Sequence, residues 1–267
     1  MHPIERLRWV ARAEGAGPSL LAQESAAALA SFGDDPQGLV TACRRLVSRH
    51  PVAGPVWWLV ARVLSVAEPV SEAWQAASAL EEDTTPGVLA AALPDDALVV
   101  VVGWPEQAGA ALARRGDLEV LVADAGGEGG ALARRLRSAN VDAVSIPDAG
   151  IGSAVAEADL VLLEADALGP DGFVSAVGAR AAGAAALHAG VPVWVVAGVG
   201  RVLPGRLWEA LVQQLDSVEA DPWERAEEIV PLDLATVVFG PVGPQSAGEA
   251  VRRADCPVAP ELLKPLD

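Results

Sequence analysis

Apolar and polar positions change their period partway along the chain. Up to about residue 93, apolar residues recur at helical spacing. In "GLVTACRRLVSRH", Leu39, Val40, Cys43, Leu46 and Val47 form one stripe, the i, i+3/i+4 signature of an amphipathic helix. "PSLLAQESAAALASF", "PVWWLVARVLSVAE" and "VSEAWQAASALEE" read the same way, with breakers at His50–Pro55 and Pro69. Beyond Pro94 the pattern becomes short apolar runs: "ALVVVV" (97–102), "LEVLVA" (118–123), "VDAVSI" (141–146), "DLVLLEA" (159–165), "VPVWVVA" (191–197) and "ATVVF" (235–239). Ala/Arg-rich helices are expected between them, over 105–115, 128–139 and 175–189. Apolar strands alternating with helices predict an α/β fold with a doubly wound, mainly parallel, Rossmann-like sheet covered on both faces. The expected organisation is a helical N-terminal domain over 1–93 and an α/β domain over 94–267. "SVEADPWERAEEIVPLD", before the last strand, is acidic and irregular and reads as a surface connection.

Composition narrows the function classes. The 267 residues are half apolar, enough for a sizeable core. The net charge of −17 argues against nucleic-acid binding through a general basic face. The only lysine is Lys264, so lysine chemistry has one candidate, near the C-terminus. Cys43 and Cys256 lie far apart and no CxxC or Cys/His cluster exists, so no metal site, disulfide framework or cofactor is expected. The N-terminus lacks the apolar core of a signal peptide, and "GAAALHAGVPVWVVAGVG" is broken by Pro192 and glycines rather than membrane-spanning. The expected location is the cytoplasm.

Ligands of open α/β sheets bind outside the carboxyl ends of the strands. Those ends are Gly103–Trp104, Asp124, Asp148, Glu164 with Asp166, Gly198–Gly200 and Gly240. Carboxylates thus gather at one sheet edge beside glycines that let a backbone approach a ligand. Asp124 and Asp148 stand at strand–helix junctions, where capping competes with binding. Asp166 is not needed as a cap, because Pro170, Asp171 and Gly172 supply their own turn chemistry, so it reads as ligand-facing. "GGEGG" and "GVGRVLPG" match neither a dinucleotide fingerprint nor a Walker A loop. Arg201, in the second, is either an anion contact or a solvated loop residue. No Ser/His/Asp triad can be built from His2, His50 and His188.

"DLVLLEADALGPDGFVSAVGARAAGAAALHAGVPVWVVAG", "IPDAGIGSAV", "HPVAGPVWW" and "EGAGPSLLAQESAAAL" occur in an order that resembles one superfamily. It joins methylthioribose-1-phosphate isomerase, ribose-1,5-bisphosphate isomerase and the alpha, beta and delta subunits of translation initiation factor 2B. The resemblance implies a helical N-terminal domain and a Rossmann-like C-terminal domain. It also implies a ligand crevice served by the family's Gly-Ala-Asp aspartate, matched by Asp166 with Glu164 in place of the glycine. Other family positions are altered. The catalytic cysteine falls at Gly103–Trp104, the Asn-Lys pair at Ser175 and Ala176, and the N-domain arginine at His50.

Isomerisation between adjacent carbons needs a paired acid and base, and an acidic crevice opposes a sugar phosphate. The first expectation is therefore a binding or regulatory protein with a remnant nucleoside- or sugar-type pocket. The alternative is an enzyme acting on a small polar metabolite through Asp166, with Glu164, Asp124 or Asp148. A sugar-phosphate isomerase stands last. A homodimer is expected through the α/β domain, using helix 175–189 with Phe173 and Trp194 as apolar anchors.

Overall fold

The computed structural model describes residues 17–217 and 220–263. His2, the rest of the N-terminal stretch through residue 16, and Lys264 lie outside them. Five helices come first: α1 (Pro18–Leu29), α2 (Pro36–Arg49), α3 (Gly54–Leu64), α4 (Pro69–Glu81) and α5 (Thr85–Ala92). Each has proline in its first turn, where the missing N–H costs nothing. Asp35 caps α2 by accepting from Gly38 N at 2.9 Å. Helix α3 is apolar on nearly every side, because it runs through the middle of this layer and buries Gly54–Ala61 and Val63.

The main sheet follows: β1 (Leu98–Val102), β2 (Glu119–Ala123), β3 (Asp142–Ile146), β4 (Leu160–Glu164), β7 (Val193–Val196), β9 (Val237–Gly240) and β10 (Gly243–Gln245), in the order β10-β9-β7-β4-β1-β2-β3. All pairings are parallel except β9–β10. Strand order reverses between β1 and β4, which opens a crevice at their carboxyl ends. Helices α6 (Glu106–Leu112) and α7 (Gly129–Ser138), with α5, cover one face. Helices α8 (Ile151–Glu157) and α9 (Ala179–Ala189) cover the other. Helix α10 (Gly205–Asp216) packs instead on the N-terminal helices through Leu207, Trp208, Leu211 and Leu215. A short helix α11 (Ala247–Arg252) follows β10.

All six apolar runs become strands. Four strands lie outside those runs, β10 in the main sheet and three in a second, smaller sheet. The helix expected over 175–189 begins only at Ala179 as α9, and residues Gly172–Ala176 form strand β6. The acidic connection contains strand β8 (Glu227–Pro231). With β5 (Ala167–Leu168) these two form a small antiparallel sheet, β5-β6-β8. Phe173 is buried in the chain's own core and Trp194 stacks on Phe239 with ring centroids 4.6 Å apart. Phe173 is therefore not available as an interface anchor, whereas Trp194 stays partly exposed. Among the described residues no helix is long and apolar enough to cross a membrane.

Candidate functional site

A cavity of about 950 Å³ opens where the helical layer meets the sheet crevice. Its N-terminal wall is the start of α1, Gly17–Leu21, and the end of α2, Arg49 and His50. The sheet wall is Trp104 to Glu106 after β1, the loop Ala125–Glu128 after β2, Glu164 and Asp166 at the end of β4, and Ser175, Ala176 and Glu227 on β6 and β8. In that loop Gly126 and Gly127 adopt φ of +62° and +82°, a conformation glycine tolerates and most residues do not.

Backbone contacts from both layers fix Asp166. Its N–H donates to Val174 O at 2.8 Å, and its carbonyl accepts from Gly54 N, at the start of α3, at 2.9 Å. Its side chain is 25 % exposed, with Oδ1 lying 3.4 Å from Nη1 of Arg201. Burial, outweighing the pull of Arg201 and helped by nearby Glu164, Glu227 and Glu106, pushes the Asp166 carboxyl up to about 7.

Glu164 lines the cavity but is already engaged. Its two oxygens accept from the N–H groups of Glu106, Gln107 and Ala108 at 3.0, 2.8 and 2.9 Å. It therefore caps α6 from another element, complementing the positive end of that helix. Arg201 lies 3.1 Å away on the other side. Burial pushes the Glu164 carboxyl above its usual range, against the pull of Arg201 and these amides.

Arg201 is neither solvated nor an anion contact at the cavity wall. Its side chain is 0 % exposed and sits behind the acids, bonded to Glu106 Oε2 at 2.9 Å and to Ala165 O at 2.8 Å. Burial opposes its charge, but Glu164, Asp166 and Glu106 outweigh burial and hold it protonated. Asp83, in the helical layer, steadies the loop that carries it by accepting from Val199 N at 2.8 Å and Gln107 Nε2 at 2.6 Å.

The remaining sequence candidates divide. Trp104, Ser175 and His50 line the cavity. Gly103 does not; it turns the chain with φ +67°, and a Cβ there would stand 3.3 Å from that of Ala176. Asp124 is a cap, accepting from Gly129 N at 2.8 Å before α7. Asp148 sits exposed in a 3₁₀ turn beyond β3, away from the cavity. Glu106, Glu128, Glu227 and Arg49 line the wall without having been anticipated. Glu106 and Arg49 had a usable signal: one follows the first strand end and the other adjoins His50.

Residues 100–225 match the model of the Initiation factor 2 subunit family. No curated protein matches the chain. Among solved structures, the translation initiation factor eIF-2B of Pyrococcus horikoshii OT3 is 17% identical, covers 93% of this chain and 98% of its own, and superposes with a TM-score of 0.79. The tetrameric eIF2B-beta2-delta2 complex of C. thermophilum supplies a chain at 17% identity, covering 94% and 92%, with a TM-score of 0.75. The 5-methylthioribose 1-phosphate isomerase of Pyrococcus horikoshii OT3 is 15% identical over 94% of this chain and 86% of its own, with a TM-score of 0.65. At these identities the likenesses show a shared fold.

Proposed function

We propose that this chain, which the family match and the shared fold support as a divergent member of the superfamily of initiation factor 2B subunits and methylthioribose-1-phosphate isomerase, is a non-catalytic binding or regulatory protein. Its cavity between the helical layer and the sheet holds a small polar molecule of sugar or nucleoside size. The observation that carries this reading is the engagement of Glu164. Of the two adjacent acids at the end of β4, Glu164 is consumed by three amides and Arg201. The sequence neighbour of Asp166 is thereby taken out of the acid–base pair that an isomerisation needs. The positions that the resemblance gives to a cysteine and a lysine hold Gly103–Trp104 and Ala176, which offer neither a thiol nor an ammonium group.

A screen of thermal stability against nucleosides, nucleotides, sugars and sugar phosphates tests the binding half. A ligand at 100 times its Kd stabilises the fold by about 2.7 kcal/mol. A turnover assay tests the other half. Methylthioribose 1-phosphate and ribose 1,5-bisphosphate should not isomerise. Turnover near an ordinary ~10 s⁻¹ that vanishes in Asp166→Asn would overturn the reading.

One observation favours a second reading, an enzyme acting on a small polar metabolite. The Asp166 carboxyl, raised to about 7, is poised to exchange a proton at neutral pH. A homodimer through the α/β half is also proposed, supported by the tetrameric assembly named for one structural relative.

A further inference from the structure

We infer that the cavity takes a polar metabolite that carries a positive charge, an amine or guanidinium on a sugar- or nucleoside-sized frame. This rests on the cavity being a ligand site, as proposed above, and adds the charge of its ligand.

The charge balance of the wall points that way. Five carboxylates line it, those of Glu106, Glu128, Glu164, Asp166 and Glu227. Arg201, behind them, neutralises Glu164 and Glu106 at 3.1 and 2.9 Å. It reaches Asp166 only at 3.4 Å. Glu128 and Glu227 have no ion pair among the described residues. The basic side chain that faces the cavity, Arg49, stands on the opposite wall at the end of α2. An anion entering beside β4, β6 and β8 therefore meets uncompensated negative charge, and a cation meets two or three partners.

A second observation is independent of charge. Ser175 is only 4 % exposed and lines the cavity, yet its hydroxyl makes no hydrogen bond among the described residues. A hydroxyl with no protein partner is open to water or to a bound polar molecule. Trp104, 37 % exposed on the same wall, already holds the guanidinium of Arg135 at 5.7 Å from its ring centroid. Burial and neighbouring like charges raise the carboxyls of Asp166 and Glu227, and a cationic ligand relieves both.

The test uses charge-matched triplets on the whole chain at pH 7: glucosamine, glucose and glucose 6-phosphate, then 5′-amino-5′-deoxyadenosine, adenosine and AMP. Affinities come from thermal shifts at graded concentration. In the triplet that fits, the amine should bind at least ten-fold more tightly than its neutral twin, and the phosphate should bind worst. The advantage should shrink with added salt. The ratio of amine to neutral-twin affinity, both measured in the same variant, should also fall toward one in Glu227→Gln. If a neutral or phosphorylated twin binds as tightly as the amine, the charge assignment is overturned and the ligand pocket stands. If no member of either triplet binds, both are overturned.

Discussion

Asp166 and Glu164 are two residues apart in sequence yet have opposite employments. The sequence placed both at a strand end, but only side-chain partners separate them. Those partners, α6 and Arg201, come from segments remote in sequence, so no local pattern could reveal them. Arg201 fits neither sequence alternative for the same reason: a lone arginine in a glycine loop gives no sign of the acids that bury it. Of the positions matched through the family resemblance, His50, Trp104, Glu164, Asp166, Ser175 and Ala176 meet at the cavity and Gly103 does not. Asp124 and Asp148, read from strand ends alone, do not. Asp166 carries a pH prediction. Its carboxyl moves from an ordinary 3.8 to about 7 on folding. Between these values the folded chain keeps a proton that the unfolded chain has lost, so this group's contribution to stability falls as pH rises. Each unit is worth about 1.4 kcal/mol, and partial exposure reduces the effect. Asp166→Asn should therefore stabilise the fold by about 1–2 kcal/mol at pH 8 and leave it unchanged below pH 4. Chemical denaturation at both pH values checks this; a loss of stability at pH 8 would show that the bond to Arg201 dominates.

At the scale of elements, apolar runs and helical stripes gave six of the main sheet's seven strands and the four long N-terminal helices. Strands β6 and β8 were missed because neither shows an alternation of its own. "GFVSA" sits between a Gly/Pro turn and an alanine-rich helix, and "EEIVP" is half acidic. Each is a strand only because the other pairs with it, antiparallel, from Gly172 opposite Pro231 to Ala176 opposite Glu227. This pair contributes Ser175 and Glu227 to the cavity, so missing it hid part of the site. The join between α3 and β5 makes a second prediction. A Cβ on Gly54 would lie 2.5 Å from Asp166 O and 3.1 Å from Ala167 Cα, both backbone atoms with no room to yield. Gly54→Ala should cost about 2–3 kcal/mol by pushing the helix off the strand end. A denaturant midpoint equal to that of the native chain would mean that the two layers are more loosely apposed.

For the whole molecule, the helical layer and the sheet are tied together around the cavity rather than merely linked in sequence. Helix α10, Ala167 and Val174 share a core with α1–α4, and Asp83 reaches across to Val199 and Gln107. Assembly is the first test at this scale. Helix α9 buries Ala179, Ala182, Gly183 and Ala186 inside its own fold, and turns Ala181 and Leu187, the latter 68 % exposed, outward. Light scattering at micromolar concentration should give twice the single-chain mass of 27.3 kDa, and Ala181→Arg should return it to one chain; a single-chain mass for the native protein would remove the dimer. The location of the ligand site is tested most directly by hydrogen–deuterium exchange with and without the compound that most raises thermal stability. Bound compound should slow exchange on both sides of the cavity at once, at 49–54 in the helical layer and at 104–108, 164–168 and 174–177 in the α/β half. Protection that falls elsewhere, or on one layer alone, would contradict the account.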